Sequence, residues 1–194
     1  MTESLGRVAA YDRALYRSVA RLSTPVLDEP LRRVSDFANF SKPWFLAAGG
    51  LALFGGPPGR RAALTGLTAI GAASLVVNQP LKKMAGERRR PDRYGLGVPV
   101  QRWVGMPSSG SFPSGHSASA AAFAVAVGGV LPALRPALRV VASVIAFSRV
   151  YTGVHYPSDI LVGATVGALF GRLAARLALS RWPHRQRDDK EQTS

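Results

Sequence analysis

The sequence predicts an all-α integral membrane protein, with about five transmembrane helices in a bundle and an amphipathic helix before them. Two observations support this prediction. Apolar residues, 47% of the 194, are gathered into five long runs, and the charged residues fall between the runs. The formal net charge of +14 comes from basic residues that flank these runs. This pattern favours a lipid bilayer or a phosphorylated substrate over nucleic acid as the partner.

The chain divides into three parts: an amphipathic N-terminal helical region over 1–40, a membrane domain over 41–180 and a basic tail over 181–194. Over residues 5–22, apolar side chains alternate with four arginines. That spacing is typical of a helix that lies in the lipid interface, and equally of a surface helix packed on the protein. The tail is predicted to be disordered.

A second short helix is expected from Leu31 to Asn39, after a break that Pro25 and Pro30 bracket. The chain has no cysteine, which excludes disulfides and thiolate metal sites. The N-terminus lacks the pattern of a signal peptide.

Five apolar segments make up the membrane domain, and a Gly-Gly-Pro-Pro-Gly turn at 55–59 ends the first. The segments are Pro43–Gly56, Ala62–Leu81, Ser114–Leu131, Ala137–Tyr151 and Pro157–Leu179. The first is short, since a membrane span usually takes about 20 residues. Gly163, Gly167 and Gly171 form a row of small residues on the fifth segment. Such a row predicts close packing inside the bundle, with a homodimer seam as the alternative.

Three polar clusters lie at the ends of these segments. They are Lys83 with Arg90-Pro91 in the spacing K-x6-R-P, then Pro113-Ser114-Gly115-His116, then Ser148-Arg149 followed by His155 and Asp159. The second segment ends at the first cluster, the third begins at the second cluster, and the fourth and fifth meet at the third. Because successive spans alternate in direction, all three clusters should lie on one face of the membrane. Arg88, Arg89 and Arg93, in the same loop as Arg90, are expected to be solvated, with binding of lipid head groups as the alternative.

The residue types in these clusters predict a phosphate site. Lys83, Arg90 and Arg149 supply permanent cations, and arginine offers paired donors that match phosphate oxygens. Ser114 and Gly115 open a helix, whose free N–H groups and positive dipole end attract an anion. Together these groups would stabilise the charge that develops during phosphoryl transfer.

Two histidines supply the reactive groups. Asp159 follows His155 by four residues around Pro157, so the carboxylate can reach back to Nδ1 and leave Nε2 free as a nucleophile. His116 would protonate the leaving oxygen and then activate water. His155, His116 and Asp159 are therefore the predicted catalytic residues, and Lys83, Arg90, Ser114, Gly115 and Arg149 the predicted phosphate-binding residues.

The three clusters in this order resemble the signatures of the PAP2 phosphatase superfamily, over roughly residues 62–179. The resemblance implies a metal-independent hydrolase without a cofactor, which acts on a lipid phosphate through a phosphohistidine. Two other classes stay open: a membrane protein that binds phospholipid without hydrolysis, which the intact catalytic residues argue against, and a vanadate-dependent oxidant, which the five apolar segments argue against.

The expected substrate is a polyprenyl-linked phosphate, with decaprenylphosphoryl-5-phosphoribose as the best single candidate by resemblance to compact proteins of this type. Undecaprenyl or decaprenyl diphosphate, phosphatidylglycerophosphate and phosphatidic acid are the alternatives. Arginine outnumbers lysine by 21 to 4, a bias associated with GC-rich bacteria. A multi-pass protein of the bacterial plasma membrane is expected. Arg60, Arg61, Arg135 and Arg139 lie on the face opposite the clusters, which favours an active site on the outer face.

Overall fold

The computed structural model of the protein describes residues 2–84 and 88–181, with side chains from residue 7 onward. Within these ranges the chain forms seven α-helices longer than ten residues and no β-strand. They are α1 (Thr2–Ala20), α2 (Pro25–Phe37), α3 (Lys42–Phe54), α4 (Gly56–Val76), α5 (Gly115–Val130), α6 (Arg135–Tyr151) and α7 (Pro157–Arg181). The predicted disordered tail, beyond its first residue, lies outside the described residues.

The five predicted apolar segments correspond to α3 through α7. Two helices in the described part of the chain are long and apolar enough to cross a membrane: α4 with its extension to Met84, and α7. The other three have 13, 16 and 17 residues, which is short of the usual span of about 20. The prediction of an all-α bundle is confirmed, and of the five predicted spans two are long and apolar enough to be clear candidates among the described residues.

Helix α5 is the centre of the bundle, and α4, α6 and α7 pack around it. The row of glycines on α7 faces α5 at very short range. A Cβ at Gly167 would lie 2.0 Å from the carbonyl oxygen of Ala118, and a Cβ at Gly163 only 2.4 Å from that of Ser114. The row, including Gly171, is therefore buried inside one chain. The alternative of a homodimer seam through Gly163, Gly167 and Gly171 is wrong, because α5 already occupies that surface.

The turn predicted over residues 55–59 is shorter than expected. Helix α3 ends at Phe54 and α4 begins at Gly56, with a positive φ of 59° at Gly56. The two prolines that follow form the first turn of α4, where a missing N–H costs nothing. A Cβ at Gly59 would lie 2.3 Å from the carbonyl oxygen of Leu51, so this glycine allows α3 and α4 to touch where they reverse direction.

The predicted break between Pro25 and Pro30 is also wrong. Helix α2 begins at Pro25 and continues through Pro30. Pro30 lies in the second turn, where it removes a single backbone hydrogen bond. Arg102, which is 1% exposed, holds α1 and α2 together. It donates to the carbonyl of Ala20 in α1 at 3.3 Å and to the carboxylate of Asp28 in α2 at 2.7 Å.

Candidate active site

The three polar clusters meet at one end of the bundle, around a cavity of about 200 Å³. Arg90, Gly115, His116 and His155 line the cavity. The clusters lie beyond the C-terminal end of α4, at the N-terminus of α5 and on the connection from α6 to α7, which are far apart in sequence. The prediction that alternating helices bring the clusters to one face is confirmed.

The second cluster forms the N-terminus of α5. Ser114 is fully buried and is the N-cap residue, since its hydroxyl accepts a hydrogen bond from the N–H of Ser117 at 3.3 Å. Its own N–H donates to the carbonyl of Asp159 at 3.0 Å, which joins the start of α5 to the start of α7. Ser114 therefore fixes the helix end, and Gly115, the next residue, presents the backbone to the cavity.

His155 and Asp159 form the predicted pair around the start of α7. Nδ1 of His155 lies 3.4 Å from Oδ2 of Asp159, and the same oxygen accepts the N–H of Tyr156 at 2.9 Å. On the other side of the ring, Nε2 lies 3.4 Å from Nη1 of Arg90. An arginine is only a donor, so this contact places the lone pair of the imidazole on Nε2. That nitrogen is the one available as a nucleophile.

Burial keeps His155 neutral. The side chain is 2% exposed, and burial, with the nearby positive charges of Arg90 and Arg149, lowers the pKa of His155 to about 4 although Asp159 opposes the shift. A neutral imidazole carries the lone pair that the predicted attack on phosphorus requires.

The low pKa of His155 makes stability depend on pH. An unfolded chain takes up a proton near pH 6.5 and the folded chain near pH 4, so stability is full above about pH 6.5 and falls as the pH drops to 4. The loss should be on the order of 3 kcal/mol. Thermal unfolding of the wild type in detergent should therefore show a steeper decline between pH 6.5 and 4 than that of His155→Gln. Parallel declines would contradict the prediction.

Arg149 and Arg90 are fixed by backbone and hydroxyl groups. Nη1 of Arg149, a side chain 1% exposed, donates to the carbonyl and hydroxyl oxygens of Ser35 at 2.8 and 2.6 Å. Its Nε has no hydrogen-bond partner among the described residues. Arg90 donates to the carbonyls of Pro107 and Val154 at 3.0 and 2.8 Å. Both guanidinium groups are thus held rigidly, and Arg149 keeps one buried donor for an anion.

Lys83 does not line the cavity, while its neighbour Lys82 does. Lys83 is exposed, and Lys82 donates to the hydroxyl of Ser109 at 3.3 Å on the cavity wall. The cause is a π-helical turn over Val77–Leu81 at the end of α4. A π turn holds one residue more than an α turn, so every side chain after it is rotated. The sequence gives no sign of this turn except Pro80 within it.

His116 is held by a residue that the sequence did not single out. Its Nε2 lies 3.1 Å from Oδ1 of Asn39, just before α3. When that amide oxygen accepts the Nε2–H, Nδ1 is the ring atom left to exchange a proton with a substrate. Asn39 is therefore a positioning residue for the predicted acid and base.

The sequence matches the family described as the PAP2 superfamily over residues 62–183. The chain belongs to this superfamily. It is therefore a PAP2 membrane lipid phosphatase, a hydrolase of phosphoric monoesters of a metal-independent family. Among the described residues no group of three or more histidines, cysteines or acids could hold a metal ion.

Two solved structures share the fold of this PAP2 phosphatase. One is the transmembrane PAP2-type phosphatidylglycerolphosphate phosphatase from Bacillus subtilis, with a TM-score of 0.70, 27% identity, and coverage of 93% of this chain and 90% of that one. The other is LpxE from Aquifex aeolicus, with a TM-score of 0.66, 23% identity, and coverage of 84% and 93%. No curated protein sequence matches the chain.

The PAP2 match begins at residue 62, yet residues before it hold the site together. Arg88, expected to be solvated in a charged loop, pairs with Asp159 at 3.0 Å and also with Asp12 of α1. Asp12 is 4% exposed and accepts both the N–H and the hydroxyl of Ser158, at 2.8 and 2.6 Å. The expectation for Arg88 is wrong, because two carboxylates neutralise it. Asp12 thereby connects α1, through Arg88, to the carboxylate that faces His155.

Replacing Asp12 should weaken the PAP2 phosphatase without touching the cavity. Asp12→Asn leaves Arg88 with one carboxylate, so Arg88 draws Asp159 away from His155 and we expect kcat to fall about 10-fold with KM nearly unchanged. Steady-state kinetics on a lipid phosphate would measure this. Asp92→Asn, which removes an exposed loop carboxylate, is the control and should leave kcat unchanged. A larger change in KM than in kcat would contradict the positioning role.

Proposed function

We propose that this phosphatase hydrolyses the phosphomonoester of a polyprenyl-linked lipid through a phosphohistidine at His155, with decaprenylphosphoryl-5-phosphoribose as the preferred substrate. In the first step Nε2 of His155 attacks phosphorus and the bond to the leaving oxygen breaks. His116 gives its proton to that oxygen, while Arg90, Arg149 and Lys82 bind the phosphate oxygens. In the second step His116 removes a proton from water, water attacks the phosphohistidine, and inorganic phosphate and free His155 result.

The observation that carries the substrate class is the polar wall of the cavity beyond the phosphate clamp. Ser41, Ser74, Asn78 and Ser119 line the same cavity as Arg90 and His155. A sugar or glycerol unit between the phosphate and the lipid would supply hydroxyls that match them. This supports a hydroxylated head group over phosphatidic acid or a polyprenyl diphosphate.

Phosphatidylglycerophosphate is the second candidate. It also carries a hydroxyl beside the terminal phosphate, and the Bacillus subtilis relative is a phosphatidylglycerolphosphate phosphatase. The non-hydrolytic binder is disfavoured by the neutral, oriented His155. A protein that only held a phospholipid would need no free imidazole nitrogen at the phosphate.

The membrane arrangement that we propose has α3 through α7 crossing the bilayer of a bacterial plasma membrane, with the cavity at the outer face. The short helices α3, α5 and α6 would be accommodated by tilt of their neighbours and local thinning of the bilayer. The basic residues at the opposite end of the bundle support this orientation, since positive charge favours the cytoplasmic side. This orientation can be tested with a single cysteine introduced at Gly97 or at Leu134, since the chain has no other cysteine. The measurement is the side of the membrane from which each cysteine is accessible.

The substrate is tested by phosphate release from the detergent-purified protein with EDTA present. The panel is decaprenylphosphoryl-5-phosphoribose, decaprenyl diphosphate, phosphatidylglycerophosphate and phosphatidic acid. We expect the highest kcat/KM for the first, and we expect Asn78→Ala to lower it for the two hydroxylated head groups only. Equal loss on all four substrates would contradict recognition of the hydroxyls. No release from any of them would favour the binder.

The π turn predicts which lysine binds phosphate. Lys82→Ala removes the cation on the cavity wall, so we expect KM for a lipid phosphate to rise about 10-fold or more. Lys83→Ala, the matched control, changes the same charge one residue away at an exposed position and should change KM less than 2-fold. Kinetics of the two variants side by side measure this. A larger rise in KM for Lys83→Ala than for Lys82→Ala would mean that Lys83 binds the phosphate.

A further inference from the structure

A second cavity lies at the end of the bundle opposite the catalytic site. It has a volume of about 280 Å³, lies between α5, α6 and α7, and is lined by Arg135, Arg139, Arg172 and Arg176. Gly129, which also lines it, follows His116 by 13 residues on α5. Since a helix rises 1.5 Å per residue, the two sites are about 20 Å apart.

The four arginines have no acidic partner among the described residues. Between residues 115 and 181 the only carboxylate side chain is Asp159, which lies at the catalytic end. The only contact described for the four is from Nε of Arg135 to the carbonyl of Gly128, at 3.2 Å. The four side chains are exposed, and four like charges around one cavity attract an anion. Guanidinium groups pair best with phosphate or carboxylate.

An apolar groove continues from this cavity towards the middle of the bundle. It has a volume of about 270 Å³ and shares Ala124, Val125 and Arg139 with the basic cavity. The groove exists because α6 and α7 each pack on α5 and make few contacts with one another. From Arg176 down to Ala164 on α7 the distance is about 18 Å, close to the depth of one leaflet of a bilayer whose apolar core is about 30 Å thick.

We propose that this cavity and groove form a binding site for an anionic phospholipid, separate from the substrate site. The phosphodiester of the head group pairs with the arginines, and one acyl chain lies in the groove between α6 and α7. Basic pockets between membrane helices suit such head groups. The substrate cavity opens elsewhere, beside Phe40 and the end of α4. The bound lipid would fill the gap that the small residues leave in the outer wall of the bundle.

The test compares lipid binding to the purified full chain by native mass spectrometry. The probes are phosphatidylglycerol, phosphatidylcholine with the same acyl chains, and inorganic phosphate. We expect the wild type to prefer phosphatidylglycerol over phosphatidylcholine. In the double variant Arg139→Gln/Arg176→Gln, the ratio of phosphatidylglycerol binding to phosphatidylcholine binding should fall about 10- to 30-fold. The matched control, Arg60→Gln/Arg61→Gln, removes the same charge near the same end of the bundle and should keep the preference.

A groove variant separates a lipid from a free anion. Ala146→Phe fills the apolar groove without changing any charge, so it should weaken phosphatidylglycerol binding and leave any binding of inorganic phosphate unchanged. Thermal unfolding identifies variants that fail to fold, for which Ala164→Leu in the same groove is the substitute. Equal binding of the two lipids by the wild type would overturn the proposal. An equal fall in the preference for phosphatidylglycerol in the Arg139→Gln/Arg176→Gln and Arg60→Gln/Arg61→Gln variants would also overturn it.

The chain's own acidic tail is the competing occupant. Asp188 and Asp189 follow α7 in the sequence. If the wild type shows no preference and the Asp188→Asn/Asp189→Asn variant prefers phosphatidylglycerol, the tail occupies the cavity in the wild type and the proposed lipid site is overturned. An unchanged preference in that variant supports the lipid site.

Discussion

His155→Ala should reduce kcat by at least about 10⁴-fold, the scale seen when a covalent nucleophile is removed. The physical reason is that Nε2 of His155 carries the lone pair of a buried, neutral imidazole that Asp159 orients at the cavity. Acid-labile, base-stable incorporation of labelled phosphate after rapid quenching should be present in the wild type and absent in the variant.

Asp159→Asn is the graded companion of this experiment. The amide keeps the shape of the side chain but favours the wrong tautomer of His155, so kcat should fall by about 10² to 10⁴ with little change in KM. Thermal unfolding shows whether either protein has lost its fold, since Asp159 also pairs with Arg88. Turnover by a folded His155→Ala protein at the wild-type rate would rule out the phosphohistidine mechanism.

His116→Ala should produce the second largest loss, and the loss should depend on the leaving group. For a lipid alkyl phosphate, whose leaving oxygen needs a proton, we expect kcat to fall about 10²- to 10⁴-fold. For p-nitrophenyl phosphate the first step needs little help from an acid, so the phosphohistidine should form and then persist, because no base activates water. A burst of p-nitrophenol equal to the enzyme concentration would record this.

Asn39→Ala is the control for the role of His116. It removes the amide that accepts from Nε2 of His116. We therefore expect the dependence on the leaving group seen for His116→Ala, with a smaller fall in kcat. If His116→Ala lowered kcat equally for the lipid phosphate and for p-nitrophenyl phosphate, and no phosphoenzyme accumulated, the acid and base role would belong to another group.

The sequence was sufficient for those parts of the site that depend on local geometry. The pair His155 and Asp159 follows from a four-residue spacing around the start of a helix. Ser114 at a helix N-terminus follows from the residue type alone. Convergence of the three clusters follows from counting helices. Each of these inferences needs only near neighbours or the alternation of spans.

The remaining features depend on packing, which the sequence does not display. Lys82 rather than Lys83 lines the cavity, next to a π turn over Val77–Leu81 that the sequence does not reveal. Arg88 looked solvated because its partner Asp12 is 76 residues away in the chain. The glycines of α7 could pack against another helix of the same chain or against a second copy of the protein. Only their contact with α5 decides between the two.

The supporting contacts from α1 and α2 also determine when the enzyme becomes active during synthesis. Tyr16 donates to the carbonyl of Gly153 from 137 residues away, and Ser35 contacts Arg149 from 114 residues away. These two helices therefore leave the ribosome long before their partners exist, and such distant contacts form last. A nascent chain that ends before residue 155 has no nucleophile. One that has just passed it still has to pack its first forty residues on the bundle, so we expect newly inserted protein to hydrolyse lipid only after those contacts have formed.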